Sequence, residues 1–248
     1  MCKNIANCNL AHISTLSIAG SVDPKGEFSF TEKDLFINQD VGDNIYIKTK
    51  FEAERLLLAE QKNGLPITIF RLGNITWRNS DGIFQYDLDE NLFFNFIKLI
   101  LKTKQVPEDL KNKTFNISPV DECANLIISI LQNNNKYNVY HIYNENELTL
   151  EEIINLLNNL NFNIQFTSES SLNDLRYISK EEINLSSYLQ KLLTNKHTSS
   201  NIKVSSHYTK QILKQLNFNW SNINANYFKN GLEENLKWKK NWIEIGQN

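Results

Sequence analysis

Residues 44–77 read NIYIKTKFEAERLLLAEQKNGLPITIFRLGNITW. Up to Asn63, the side chains of Ile47, Phe51, Glu54, Arg55, Leu58 and Ala59 recur at helical spacing, and Gly64 supplies a C-terminal stop. From Pro66 to Trp77 the composition turns β-branched and aromatic, which reads as a buried strand. Upstream, Leu10–Gly20 (LAHISTLSIAG) is an apolar, hydroxyl-rich run ending in glycine and reads as another buried strand. Downstream, the pattern predicts a helix over Glu90–Lys104, an extended piece at Phe115–Pro119 and a helix over Val120–Gln132 with Asp121 in its first turn. A strand follows over Val139–Tyr143. Thr149 and Glu152 then have the spacing of a capping box that starts a helix running to Leu160, and Asn163–Thr167 reads as a short strand. Met1–Asn9 reads as the end of a helix, residues 21–43 as a polar loop, and the chain beyond 167 as helices with polar breaks. Strand, helix, strand, helix, strand is the order of an α/β fold with a parallel sheet.

Composition narrows the function. A chain of 248 residues, 41% apolar and 22% charged with a formal net charge of -2, can bury a real core. It is neither a disordered tail nor a generically basic nucleic-acid binder. Three cysteines, Cys2, Cys8 and Cys123, form neither a disulfide framework nor a four-ligand zinc site. The four histidines are too dispersed for a metal-ligand set, so no metal is expected. No apolar run approaches the ~20 residues that span a bilayer, and the reading is cytoplasmic. The 37 asparagines point to a bias of the coding DNA. Eight glycines are a little under half the usual ~7%.

The strongest chemical signal is Tyr46-Ile-Lys-Thr-Lys50. Positions i and i+4 share a helix face, so a phenol lies beside an ammonium. A nearby cation favours phenolate, which suits a group that exchanges a proton with a carbonyl or alkoxide. Alone, the pair also fits an ordinary solvated helix face. Thr15, flanked by Ser14 and Ser17, sits at the end of the preceding predicted strand, where α/β proteins place ligand contacts. Its bland reading is sheet-end hydrogen bonding. A hydroxyl, then Tyr-x-x-x-Lys, then a strand ending in Arg71-Leu-Gly-Asn-Ile75 is a much rarer ordered set.

With these residues the chain resembles the extended short-chain dehydrogenase/reductase superfamily. It is most similar to the thioester reductase domains that end nonribosomal peptide synthetases and carboxylic acid reductases. The resemblance rests on His12–Ile18, Tyr46–Glu54, Gly64–Ile75 and Asn116–Asp121, in order over roughly residues 8–145. It implies a partial Rossmann-like parallel sheet, lacking its N-terminal nucleotide-binding half, in residues 1–144. A mostly helical substrate- and carrier-side lobe would occupy residues 145–248. It implies Thr15, Tyr46 and Lys50 as catalytic residues, with Thr15 and Tyr46 polarising a carbonyl and Lys50 also holding the nicotinamide ribose. Ser14 and Leu72-Gly73-Asn74-Ile75 would lie against the cofactor, with Leu72 where the family usually has proline. The implied reaction is hydride transfer from NADPH to a thioester on the phosphopantetheine arm of an acyl or peptidyl carrier protein, releasing an aldehyde or alcohol. No G-x-G-x-x-G or looser relative follows a strand. The resemblance therefore implies a chain that starts just before the Thr15 strand: one part of an assembly whose glycine-rich turn comes from a separate polypeptide, a degraded or frame-shifted remnant, or a chain whose recorded start is misplaced. Two alternatives stand beside this reading. One is a non-catalytic module that docks a carrier or partner chain; the other is a sugar-nucleotide epimerase or dehydratase of the same superfamily.

Several other residues have competing readings. Phe93, Phe94 and Phe96 read as core or as the lining of a substrate pocket. Cys123 reads as a small buried residue. Asp87, Asp89 and Glu90 read as solvated loop. Lys237, Lys239 and Lys240 with Trp238 and Trp242 read as a solvated face or as a surface for an acidic carrier protein.

Overall fold

A computed structural model describes residues 8–22, 28–88, 91–133, 137–167 and 202–236. The expected helix end at Met1–Asn9 lies mostly outside them. So do Asp89, Glu90, His197 and the terminal lysines and tryptophans.

Along the chain run β1 (Leu10–Thr15), a 3₁₀ turn (Leu16–Ala19), β2 (Phe28–Phe30), α1 (Ile45–Lys62), β3 (Ile67–Leu72) and β4 (Ile75–Thr76). Then come α2 (Leu92–Thr103), β5 (Gln105–Pro107), β6 (Thr114–Phe115), β7 (Ser118–Pro119), α3 (Val120–Gln132) and β8 (Val139–Ile142). The remainder is β9 (Leu148–Thr149), α4 (Leu150–Asn158), β10 (Gln165–Thr167), β11 (Ile202–Val204), α5 (His207–Gln215) and α6 (Ala225–Leu236). The chain divides into two compact units interleaved along the sequence, so no single cut separates them. The first is Met1–Gly73, Cys123–Tyr143 and His197–Trp220; the second is Asn74–Glu122, Asn144–Lys196 and Ser221–Asn248.

Four expectations need correction, the first being that the polar loop expected over residues 21–43 contains β2. The run Leu10–Gly20 is not one strand: Thr15 ends β1 because its hydroxyl accepts from the Ser17 amide and caps the 3₁₀ turn. The run Pro66–Trp77 breaks at Gly73 and Asn74, whose amides turn to the Ile142 carbonyl and the Asn116 side chain respectively. The region beyond 167 is not helical throughout, since β11 pairs in parallel with β2. A three-residue strand with a partner so distant in sequence leaves no local signal.

The first unit holds a parallel sheet in the order β1-β3-β8. The register sets Ser14 beside Arg71 and Arg71 beside His141, with Thr15 beside Leu72 and Leu72 beside Ile142. Strand side chains alternate between faces, and on one face Leu10, Ile67, Ile69 and Val139 pack against Leu57 and Leu58 of α1. On that same face, toward the carboxyl ends, stand His12, Ser14, Arg71 and His141. On the other face Phe70 stacks on Tyr140, with ring centroids 5.7 Å apart.

Arg71 and Glu54 of α1 form an ion pair with no exposed side-chain surface on either partner. Arg71 Nε donates to Glu54 Oε1 at 3.2 Å and Oε2 at 3.0 Å, and Nη2 donates to Oε2 at 2.8 Å. Nη1 donates to the Thr31 carbonyl at 3.3 Å and lies 3.2 Å from His141 Nε2. The Phe30 ring lies 4.8 Å from the guanidinium carbon. A guanidinium has no acceptor, so His141 Nε2 accepts and the imidazole is neutral. Burial and the Arg71 charge push the His141 pKa down to about 3.

The second unit is built on one apolar cluster in which Trp77, Phe93, Phe94, Phe96, Phe115 and Phe228 are buried. The three α2 phenylalanines are thus core. Trp77 Nε1 donates to the Tyr227 carbonyl, and the Tyr227 hydroxyl returns a bond to the Trp77 carbonyl. Gly231 of α6 lies so close to the Trp77 indole that a Cβ there would overlap it. The Thr149–Glu152 capping box forms as its spacing predicts. Asp121 accepts from the Asn79 and Ser80 amides, bonds that hold its carboxyl below the usual range against the opposing effect of burial. Among described residues, five non-glycines have left-handed backbone: Lys104 and four asparagines, Asn38, Asn161, Asn163 and Asn217.

Two stability effects follow. Gly231→Ala drives a methyl into the Trp77 ring and should lower stability by about 1–3 kcal/mol, read as a lower urea midpoint with unchanged slope. His141 binds a proton near 6.5 when unfolded and near 3 when folded. The unfolded state then holds more protons between those values, so stability falls as pH drops through that window, by about 5 kcal/mol in full. His141→Gln, which keeps a neutral acceptor, should remove that share of the acid sensitivity in urea titrations from pH 7 to pH 4.

Candidate active site

The candidate residues gather at the carboxyl ends of the sheet, where open α/β sheets bind ligands. Asn44 starts α1 by accepting from the Ile47 amide, so Tyr46 falls in the first turn and Lys50 one turn on. Tyr46 is 55% exposed, which leaves its phenol available to a ligand. Lys50 Nζ lies 5.9 Å from the centroid of the Tyr46 ring. It donates to the Ile13 carbonyl at 3.0 Å, which fastens the helix residue to β1 two residues before Thr15. This partner is a backbone atom, and no sequence signal could have named it.

Thr15 is buried. Its hydroxyl accepts from the Ser17 amide and lies 3.2 Å from Ser17 Oγ, the oxygen to which its own proton is turned. Ser14 is buried too, and its Oγ has no hydrogen-bond partner in the structure. An unsatisfied buried hydroxyl costs about 1–3 kcal/mol, which a bound polar group would relieve. Leu72 and Gly73 end β3 beside Thr15 and Ile142, and the Gly73 amide is taken by the Ile142 carbonyl at 3.0 Å.

Asn74 and Ile75 belong to the second unit. The Asn74 side chain donates to the Asn116 carbonyl at 3.0 Å, and Asn116 reaches the Asn144 carbonyl. Ser118 Oγ donates to Asn116 Oδ1 and accepts from the Asn144 amide. An amide ladder of this kind fixes the backbone that follows β3. Asn144 is fully buried and its Nδ2 is unpartnered.

His12 also faces α1, and its pKa is lowered by burial and by Lys50, against the opposing influence of Glu54. Sequence reasoning did not single out the Glu54–Arg71–His141 set. Its signal was a carboxylate in the apolar stripe of a helix and an arginine inside an apolar strand. An open hollow of about 500 Å³ lies at the opposite, amino ends of the strands, lined by Asn9, Gln61, Pro66, Thr68 and Tyr137 among others. None of the candidate residues lines it. Among the described residues no cluster of three His, Cys, Asp or Glu could hold a metal ion, and no helix is long and apolar enough to cross a membrane.

The nicotinamide end of a dinucleotide fits this set: a cation beside a phenol, an unsatisfied serine hydroxyl, and backbone at strand ends. The pyrophosphate end has no counterpart, because the eight glycines form no phosphate-binding turn.

Over 157 residues the chain is 26% identical to a glycine betaine reductase of Emericella nidulans, covering 61% of this chain and 12% of that protein. Over 154 residues it is 21% identical to a linear gramicidin synthase of Brevibacillus parabrevis, covering 62% of this chain and 3% of that protein. The chain thus spans a small part of both relatives. Its fold superposes on a thiolation-reductase di-domain from an archaeal nonribosomal peptide synthetase with a TM-score of 0.82 at 25% identity, covering 97% of this chain and 51% of that one. It also superposes on the reductase domain of the aureusimine biosynthetic cluster, with a TM-score of 0.76 at 21% identity over 92% of this chain and 60% of that one. A family model named NAD_binding_4 and described as Male sterility protein matches residues 1–127. With its Rossmann-like sheet and half of its length matched, the chain belongs to the male sterility protein family of NAD-binding domains.

Proposed function

We propose that this chain is the substrate-side part of an NAD(P)H-dependent reductase that converts a carrier-bound thioester to an aldehyde or alcohol. The observation that carries the reading is Lys50, fixed to the Ile13 carbonyl beside Tyr46 at the carboxyl end of β1.

Thr15, Tyr46 and Lys50 are the proposed catalytic groups. The Thr15 hydroxyl turns from Ser17 to donate to the carbonyl oxygen of the thioester. Tyr46 passes its proton to that oxygen as charge builds there, and Lys50 stabilises the phenolate left behind; the thiohemiacetal so formed breaks its C–S bond and releases the pantetheine thiol to give the aldehyde, and an alcohol takes a second hydride and proton. Lys50 and Ser14 hold the ribose, and the backbone of Leu72, Gly73, Asn74 and Ile75 lies against the nicotinamide. NADPH is the proposed cofactor, and when bound it supplies the hydride. The phosphopantetheine arm belongs to the substrate, carried by an acyl or peptidyl carrier protein in the cytoplasm. A separate polypeptide is the proposed source of the glycine-rich turn for the pyrophosphate.

A second reading is a module that docks a carrier without binding nucleotide. Fluorescence titration with NADPH separates the two. The reductase reading expects binding by the assembled enzyme that weakens at least tenfold in Lys50→Ala. The docking reading expects carrier binding with no nucleotide response.

Turnover is followed at 340 nm with acyl-loaded carrier protein. Tyr46→Phe should lower aldehyde formation by about 10²–10⁴, the range for a lost general acid. Thr15→Val should lower kcat by about 10²–10³, as for a lost oxyanion donor, with little change in NADPH affinity. A Tyr46→Phe enzyme with an unchanged rate would remove the reductase reading.

A further inference from the structure

The core-facing stripe of α1 runs Ile47, Phe51, Glu54, Leu58, with spacings of four, three and four. Ile47 and Phe51 pack on the cluster of Ile18, Phe30 and Ile202, while Leu58 and its neighbour Leu57 pack on Ile67, Ile69 and Val139. Glu54 stands between these apolar contacts and is the one residue of α1 that is fully buried. An apolar side chain would serve stability at least as well, because replacing a buried ion pair with apolar residues is often neutral or stabilising. Stability alone therefore leaves the carboxylate unexplained.

Placement explains it. α1 also carries exposed Ile45 and Leu56, so rolling the helix would trade some apolar contacts for others with little preference. Apolar contacts also tolerate sliding. Three bonds of 2.8–3.2 Å from one rigid guanidinium do not. Arg71 is held in turn by Thr31, Phe30 and His141.

We propose that Glu54 and Arg71 are positioning residues that set the rotation and axial position of α1, and through them the reach of Lys50 to the Ile13 carbonyl. The proposal rests on the reading of Lys50 as an active-site cation. Lys50 is one turn upstream of Glu54 and Tyr46 one turn further, so an error at Glu54 reaches both. A slip of one residue along the axis is about 1.5 Å, enough to break the 3.0 Å contact of Lys50.

The test is competitive acetylation of the full chain with acetic anhydride at pH 8, read lysine by lysine by mass spectrometry. Lys62, exposed in the last turn of the same helix, is the internal reference. In the native chain Lys50 should react about tenfold more slowly than Lys62, as expected for a charge-assisted hydrogen bond. In the double variant Glu54→Leu with Arg71→Met, unfolding should stay cooperative while Lys50 rises to within about twofold of Lys62. A folded double variant that keeps Lys50 protected overturns the proposal. So does a double variant that does not fold, because the pair would then be needed for stability itself. The readout needs neither nucleotide nor carrier, so a chain without reductase activity leaves this outcome standing, and the converse holds too.

Discussion

An arginine and a glutamate sealed from water sit at the centre of the first unit, and its other elements comply with them. A desolvated guanidinium demands an acceptor for each of its donors. Glu54 supplies two oxygens from α1, Thr31 a carbonyl from the segment after β2, and His141 a ring nitrogen from β8. Phe30 covers a face of the cation and stacks on His141 as well. Three stretches of chain, far apart in sequence, are thus specified by one side chain on β3. The cost appears at His141, which is kept neutral so that its Nε2 can accept.

That centre also divides the sheet along its length. On the α1-facing side, the amino ends carry Leu10, Ile67, Ile69 and Val139, and the carboxyl ends carry His12, Ser14, Arg71 and His141. Burial at one end holds the helix to the sheet. The other end keeps polar atoms close to Tyr46 and Lys50, where a ligand would use them. The two demands on a strand, packing and chemistry, are met by different residues of the same strand.

Much of this was legible in the sequence because it is local. The start of α1 at Asn44, the extent of α3 and the capping box at Thr149 follow from side chains a few residues apart. The Tyr46–Lys50 pair needs only helical spacing. What was hidden depends on partners distant in sequence. β1 stops at Thr15 because a hydroxyl prefers the Ser17 amide to continuing a ladder. β11 exists because Phe28–Phe30 pairs with it. The Ile13 carbonyl that receives Lys50 belongs to the backbone and has no letter of its own. Glu54 and Arg71 were visible as letters but not as a pair, since a separation of 17 positions conceals a contact that only the fold makes.

The asparagines in left-handed turns have a consequence for the gene. Every glycine codon begins with two guanines, and both asparagine codons begin with two adenines. A coding sequence drifting toward adenine and thymine loses the first and gains the second. Asparagine is the residue after glycine that best tolerates a positive φ. Asn38, Asn161, Asn163 and Asn217 therefore let the backbone take left-handed turns in a chain with 37 asparagines and only eight glycines. An adenine- and thymine-rich coding sequence could encode those four turns without a glycine codon.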